Sequence, residues 1–238
     1  MNIRTTPNPL VRWAGRRLGE FNARHPWSHN HHFHPWILRS LPPDASRVLD
    51  VGCGRGDLVV ELAARTGRVD GIDPDQEMSY AAASRCADDP RVRIRRRSLT
   101  EHAARVLAAE PDGAYDAITM VASLHHMDLE EALRQARSLL RPGGRLLVVT
   151  LTTPVTAFDQ VWDVANALTN PIIGLVKHPR PVREAGEPLP IPVRDPSWSL
   201  DVLRESAALE LPGAVIRRRE GFRATLRWDR PAAGEFTA

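Results

Sequence analysis

A short segment rich in carboxylates and glycines contains the residue types that most directly suggest ligand chemistry. An apolar run that includes Asp50 is followed by Gly52, Gly54 and Gly56, and then by an amphipathic stretch at residues 57–66. This order predicts a strand, a tight loop and a helix start, which α/β sheets use to hold nucleotide-like ligands. Glycines let the backbone turn sharply, and a helix start offers free N–H groups. The segment therefore predicts a ligand site.

The charge of this loop favours one of two nucleotide-like ligands over the other. Asp50 and Asp57 disfavour a pyrophosphate, whereas they suit the ammonium group of S-adenosylmethionine, whose own carboxylate could bind the helix-start amides. The alternate glycines also differ from the G-x-G-x-x-G spacing of nicotinamide-binding proteins. A second carboxylate, Asp73, ends the next predicted strand. There it would accept hydrogen bonds from ribose hydroxyls, the alternative being a helix N-cap.

Residues 47–151 alternate between predicted strands and predicted helices, a pattern that indicates a parallel sheet with helices on both faces. The predicted strands are 47–51, 68–72, 91–97, 115–121 and 145–151, and the predicted helices are 57–66, 75–87, 100–109 and 129–140. Residues 141–144, Arg-Pro-Gly-Gly, are predicted to be a turn between a helix and a strand.

The flanking regions differ in pattern from this core. We predict an N-terminal lid segment at 1–46, a domain at 47–230 with a helical insert and proline-rich loop at about 152–198, and a disordered tail at 231–238. Within these regions a short helix should start at Pro35, the insert helix 155–176 should break at Asn170-Pro171, and Ser199 should cap a helix reaching Leu209. The runs 214–219 and 223–228 should pair as a terminal hairpin.

Four motifs in order resemble the class I S-adenosylmethionine-dependent methyltransferases, in particular those of quinone and natural-product biosynthesis. They are Asp50 to Gly56, Gly71-Ile72-Asp73-Pro74, Tyr115 onward to Ser123-Leu124-His125-His126, and Arg141 to Arg145. The resemblance implies a Rossmann-like α/β sheet, mostly parallel with an antiparallel C-terminal strand, of order 3-2-1-4-5-7-6. It also makes the arginine-rich strand at 91–97 an edge strand.

The residues predicted to bind the cofactor follow from these motifs. Members of the family usually carry an acidic residue after the third strand to bind adenine, but here Ser98-Leu99-Thr100-Glu101 stands in that place, so either Ser98 or Glu101 would have to serve. The full predicted set is Asp50, Gly52, Cys53, Gly54, Gly56, Asp73, Pro74, Ser98, Leu99 and Val121.

The acceptor side is predicted at the end of the fourth strand, where the family faces the transferred methyl group. His125 or His126 could act as the base that a hydroxyl acceptor needs, or either could pack structurally. Five histidines between His25 and His34 could ligate a metal, but no acidic or cysteine partner lies among them, so no metal is predicted. The N-terminal segment and the insert, with Phe158, Trp162 and Asn166, are predicted to line the acceptor pocket, the alternative for the apolar residues of the insert being core packing.

Composition restricts the partners. The net charge is only +3 despite a pI near 9.4, and the run from Arg91 to Arg97 reads as a solvated edge strand, so we predict no nucleic-acid partner. No apolar run suggests membrane insertion, and the lack of a signal-peptide core predicts a cytoplasmic location.

The leading functional hypothesis is methyl transfer to O, N or C of a small molecule. The alternatives are an RNA or protein methyltransferase and a non-catalytic S-adenosylmethionine-binding protein, and the sequence does not predict the oligomeric state.

Overall fold

The computed structural model describes residues 28–177 and 196–232, which fold around a seven-stranded sheet. The strands are β1 (Arg47–Val51), β2 (Arg68–Asp73), β3 (Val92–Arg96), β4 (Tyr115–Val121), β5 (Leu140–Thr150), β6 (Val215–Arg219) and β7 (Arg223–Asp229). The helices are α1 (His29–Ser40), α2 (Asp57–Ala63), α3 (Gln76–Arg85), α4 (Leu99–Ala109), α5 (Leu129–Leu139), α6 (Ala157–Lys177) and α7 (Leu200–Glu210). A 3₁₀ turn, Leu124–His126, follows β4.

The sheet has the predicted strand order, β3-β2-β1-β4-β5-β7-β6. Strands β1 to β5 pair in parallel, while β7 lies antiparallel to both β5 and β6, as predicted for the terminal hairpin. The arginine-rich β3 is an edge strand, and its arginine side chains are exposed. Charge on such an edge deters pairing with another chain.

Apolar residues from alternate positions of the strands form a core on each face of the sheet. On β5, Leu146 and Val148 contribute to one core, whereas Leu147 and Val149 contribute to the other. This alternation is the period of two that a strand imposes on its side chains. The second core includes Phe33 and Ile37 from α1, so burial of apolar surface fixes α1 against the sheet.

Three local predictions were wrong. Helix α1 begins at His29 and contains Pro35, whose ring is exposed, while its neighbours on the buried face hold the helix. Helix α6 continues through residues 170 and 171, because a proline removes one N–H and disfavours helical geometry without forbidding it. Residues 141–144 lie within β5 as a bulge, since Tyr115 pairs with Leu140 and Ala117 pairs with Arg145.

The described residues fall into two compact units. One contains residues 30–153, 196–219 and 223–232, and therefore the whole sheet. The other contains residues 28–29, α6 with the segment before it, and the turn 220–222; within it, Asn166 Oδ1 accepts a hydrogen bond from Gly221 N at 2.9 Å. None of the helices in the described ranges combines the length and apolar character needed to span a membrane.

Several predictions lie outside the described residues. They concern the first part of the proposed lid (1–27), the proline-rich loop (178–195) and the tail (233–238). The predicted helix after Ser199 is confirmed, because the Ser199 side chain accepts a hydrogen bond from Val202 N at the start of α7.

Candidate cofactor site

Asp50 is a buried carboxylate near the carboxyl end of β1. It is 2% exposed, and it pairs in register with Thr119 of β4, whose Oγ1 donates a hydrogen bond to Asp50 Oδ1 at 2.7 Å. The pKa of Asp50 is raised to about 7, chiefly by burial and also by the charge of Asp73, while the Thr119 hydrogen bond opposes the rise. A cationic ligand group would therefore stabilise the ionised form of this carboxylate, which burial disfavours in the free protein.

The glycine loop after β1 adopts backbone conformations that other residues rarely reach. Gly52, Gly54 and Gly56 all have positive φ, at 69°, 54° and 79°. A Cβ on Gly52 would lie 2.4 Å from Ser123 Cβ, so β4 and the loop approach each other closely. A Cβ on Gly54 would meet no described atom within 4 Å. The loop therefore borders open space at Gly54, the side on which the sequence predicts the cofactor.

Asp73, the last residue of β2, holds this loop. Its Oδ2 accepts a hydrogen bond from Gly54 N at 3.0 Å, and its Oδ1 accepts one from Asp75 N at 2.9 Å. The N-cap of α3 is Asp75, which accepts a hydrogen bond from Met78 N. The alternative role of Asp73 as a helix cap is therefore wrong. Burial raises the pKa of Asp73, and its two backbone hydrogen bonds lower it.

Cys53 lies in the same loop but faces the protein. The backbone N–H groups of Gly52 and Cys53 both donate to Ile72 O, at 2.8 Å and 3.0 Å. The Cys53 side chain is 7% exposed, and burial raises the pKa of its thiol well above the usual range. This thiol therefore packs as a small apolar group, and any contact of Cys53 with a ligand would come from its backbone.

The two candidates for the adenine contact are both engaged in capping α4. The Ser98 side chain accepts a hydrogen bond from Glu101 N, and Glu101 Oε2 accepts one from Ser98 N at 2.9 Å, which together form a capping box. Leu99 is buried behind them at 4% exposure. The adenine role of Ser98 and Leu99 stays a prediction, with Ser98 already serving the helix.

The remaining predicted contacts lie at strand ends on the same edge. Pro74 is exposed directly after Asp73, and Val121 ends β4. Ser123 Oγ donates to Val51 O at 2.6 Å, which joins the segment after β4 to the end of β1. The strand ends that carry the predicted site are thus held together.

The two histidines after β4 differ in exposure. His125 is 6% exposed, whereas His126 is exposed, and their ring centroids lie 4.2 Å apart. The charge of His126 lowers the pKa of Asp73, so His126 lies close enough to this carboxyl to influence it electrostatically. His126 thus faces solvent near Asp73, while His125 packs in the interior.

Asp57, at the start of α2, does not contribute free negative charge. It forms ion pairs with Arg85 of α3 and with His31 Nε2 of α1, the latter at 3.2 Å. The prediction that Asp57 disfavours a pyrophosphate is therefore weakened, and the argument from charge depends on Asp50. Neither partner of Asp57 is near it in the sequence, so no local signal could have identified them.

The histidine cluster of α1 forms pairs with carboxylates. His34 Nδ1 lies 2.7 Å from Glu61 Oε1, and burial lowers the pKa of His34. Within the described ranges, no group of three or more His, Cys, Asp or Glu side chains could hold a metal ion. His25 lies outside those ranges.

Comparisons with known proteins show the family of this chain. A family model described as a methyltransferase domain matches residues 48–144. The chain is 33% identical over 211 residues to an uncharacterized methyltransferase of Mycobacterium bovis, covering 87% of this chain and 98% of that protein. It is 30% identical over 198 residues to 27-O-demethylrifamycin SV methyltransferase of Amycolatopsis mediterranei, covering 75% of this chain and 71% of that protein.

A solved structure shares the fold. Geranyl diphosphate methyltransferase, solved with GPP and sinefungin, superposes with a TM-score of 0.55 at 15% identity, covering 84% of this chain and 77% of that one. At this identity the likeness concerns the fold alone.

Proposed function

Because this chain belongs to the S-adenosylmethionine-dependent methyltransferases, we propose that it binds S-adenosyl-L-methionine at the glycine loop and methylates a small molecule. The observation that carries the proposal is the pair of buried carboxylates, Asp50 and Asp73, on neighbouring parallel strands beside that loop. A relative that spans most of the chain is named for a small-molecule acceptor, 27-O-demethylrifamycin SV.

Three groups of the cofactor have chemical counterparts beside the glycine loop. Asp50 binds the ammonium group, because a buried carboxylate near its pKa is stabilised by a cation. The N–H groups that begin α2 bind the carboxylate of the cofactor. Each Asp73 oxygen already accepts one backbone hydrogen bond and has a further lone pair to accept one from a ribose hydroxyl.

The reaction requires alignment and, for some acceptors, a base. When bound, the sulfonium supplies an electrophilic methyl group that is displaced in line. The protein aligns the acceptor with that methyl and excludes water. A hydroxyl acceptor must also lose a proton, and His126 takes it, because this ring is exposed beside Asp73 whereas His125 is buried.

The test combines binding with label transfer. In calorimetry we expect a heat of binding for S-adenosylhomocysteine and no heat of binding for NAD or ATP. Purified protein is then incubated with cell extract and S-adenosylmethionine that carries a tritiated methyl group, and the Asp73→Asn variant serves as the control. Label in an organic-soluble product supports the proposal.

Other results would contradict it in distinguishable ways. Label in RNA or protein would contradict the small-molecule acceptor. Binding of S-adenosylhomocysteine without label transfer would indicate a non-catalytic binding protein. Heat from NAD or ATP alone would overturn the cofactor assignment.

A further inference from the structure

Ala122, the first residue after β4, adopts a backbone conformation that is unfavourable for a residue with a side chain. Its φ is 55°, in the left-handed region, where Cβ comes too close to the following carbonyl oxygen. Glycine would adopt this conformation without that penalty. A strained residue keeps its conformation only where the surrounding structure imposes it, and such residues cluster at functional sites. The contacts that impose the conformation of Ala122 therefore show what this junction depends on.

Two hydrogen bonds hold the chain at this junction. The N–H of Ala122 donates to Val149 O of β5 at 2.7 Å. The next residue, Ser123, donates through Oγ to Val51 O at the end of β1, at 2.6 Å. Ser123 and Val51 are 6% and 1% exposed, so little water reaches this bond to compete with it. Because β1 and β5 lie on either side of β4, the chain that leaves β4 is fixed on both sides.

The glycine loop confines the Ser123 side chain further. A Cβ on Gly52 would lie 2.4 Å from Ser123 Cβ and 3.1 Å from its Oγ, so the Gly52 backbone packs closely against this side chain. Gly52 is itself held to β2, because its N–H donates to Ile72 O at 2.8 Å. The hydroxyl of Ser123 is therefore the atom that can be removed to break the link to β1 while the packing around Cβ is kept.

The turn that begins at Ser123 carries the histidine pair. Ser123 O accepts a hydrogen bond from His126 N at 3.0 Å, which closes the 3₁₀ turn. Leu124 is fully buried in this turn, whereas His126 is exposed. A change of φ at Ala122 rotates the whole turn relative to the sheet and so moves the His126 ring. A displacement of about 1 Å at a reacting group can cost about 100-fold in rate.

We infer that Ser123 is a positioning residue for methyl transfer, because its hydroxyl holds Ala122 in the left-handed conformation and thereby fixes the turn that carries His126. This inference rests on the proposed function, since it takes His126 as the base. Ser123 acts through the backbone and not by contact with the reacting atoms. Without its hydrogen bond to Val51, the strain at Ala122 favours other backbone conformations, and the His126 ring loses its fixed place.

The substitution Ser123→Ala tests this role. At saturating tritiated S-adenosylmethionine, we expect the initial rate of label transfer to organic-soluble product from cell extract to fall about tenfold or more. Affinity for S-adenosylhomocysteine, measured by calorimetry, should stay within about threefold of wild type, because the bonds from the glycine loop to Ile72 O remain. The matched control is Thr66→Val, which removes a buried hydroxyl that donates to Leu62 O at 3.0 Å, beyond the far end of α2. This control should keep the wild-type rate.

Ala122→Gly completes a double-mutant cycle, because glycine adopts positive φ without being held there. In the double variant, the rate should return to within about threefold of the rate of Ala122→Gly alone. Stability should respond with the opposite sign. With alanine at position 122, release of strain partly offsets the lost hydrogen bond, so Ser123→Ala should lower the melting temperature less in this background than in the glycine background.

The outcomes separate the inference from the proposed function. An unchanged rate in Ser123→Ala would overturn the inference, as would equal losses of rate and affinity or a rate loss that glycine does not reduce. Additive changes in melting temperature, with label transfer intact in wild type, would contradict the link between Ser123 and the strain and leave the proposed function standing. Absence of label transfer by wild-type protein would contradict the proposed function and with it the positioning role, while a non-additive stability cycle would still support the link.

Discussion

The backbone N–H of Gly54 donates a hydrogen bond to Asp73 Oδ2 at 3.0 Å, so the carboxylate that ends β2 holds the loop that follows β1. The N–H groups of Gly52 and Cys53 add two more bonds from this loop to Ile72 O in β2. A loop ordered before the ligand arrives loses less conformational entropy on binding. Asp73 is therefore expected to affect binding in two ways, as a ligand and as an anchor of the loop.

The substitution Asp73→Asn tests both roles. An amide has a single acceptor oxygen, so one of the two backbone N–H groups loses its partner and the charge toward the ribose disappears. We expect affinity for S-adenosylhomocysteine to fall by at least about tenfold, measured by calorimetry. Asp75→Asn is the matched control, because asparagine also caps a helix, and its affinity should stay within about twofold of wild type. Equal losses in the two variants would contradict a special role for Asp73.

Binding of the cofactor should depend on pH through Asp50. Its pKa in the free protein is about 7, and the ammonium group prefers the ionised form. Affinity for S-adenosylhomocysteine should therefore rise about tenfold between pH 6 and pH 8, with uptake accompanied by release of a proton near pH 7. Calorimetry in buffers of different ionisation enthalpy measures both effects. Asp50→Asn should bind more weakly and show a flat profile, and a flat wild-type profile would count against the ammonium contact.

The same raised pKa predicts a sign for folding. A carboxyl group whose pKa is higher in the folded state favours that state when protonated. The contribution of Asp50 to the free energy of unfolding is therefore largest below about pH 4 and is lost as the pH rises through about 7. Urea titrations of wild type and Asp50→Asn over this range should show the difference between the two proteins growing with pH, in favour of the variant.

Two glycines of the loop should respond differently to alanine. Both have positive φ, which costs other residues about 1–2 kcal/mol. Gly54→Ala adds a Cβ in open space, so its free energy of unfolding should fall only by that amount. The Cβ of Gly52→Ala would lie 2.4 Å from Ser123 Cβ, so this variant also carries the cost of a steric clash. We expect thermal denaturation to show a melting temperature for Gly52→Ala several degrees below that of Gly54→Ala. A similar loss in both variants would mean that Ser123 moves aside without cost.

The histidine pair should separate into a residue that affects turnover and one that affects stability. For a hydroxyl acceptor, His126→Gln should lower kcat by a factor of about 100 or more, with affinity for S-adenosylhomocysteine unchanged, because proton removal is lost and the exposed ring carries little packing. His125→Gln replaces a buried ring and should lower the melting temperature. Release of S-adenosylhomocysteine measures turnover. Unchanged kcat in His126→Gln would exclude this residue as the base.

Local sequence signals predicted the fold and the positions of the glycine loop and its strand-end carboxylates, because strand alternation, glycine loops and strand-end carboxylates are features of neighbouring residues. The role of Asp57 was not predictable in this way, since Arg85 and His31 reach it only in the folded chain. Thr119 likewise gains its importance from strand pairing, which brings it to Asp50. The helix start predicted at Pro35 was wrong for another reason, because packing of the helix outweighs the low helix propensity of proline at this position.

Ser98 offers the sharpest distinction between a predicted ligand contact and an observed structural role. Its side chain and that of Glu101 form the capping box at the start of α4. If capping is its whole role, Ser98→Ala should lower the free energy of unfolding by about 1 kcal/mol, or the melting temperature by about 2–4 °C, and leave S-adenosylhomocysteine affinity unchanged. Ser199→Ala, at the matching cap of α7, should give a similar loss of stability. An affinity loss of tenfold or more in Ser98→Ala alone would show that this hydroxyl also contacts adenine.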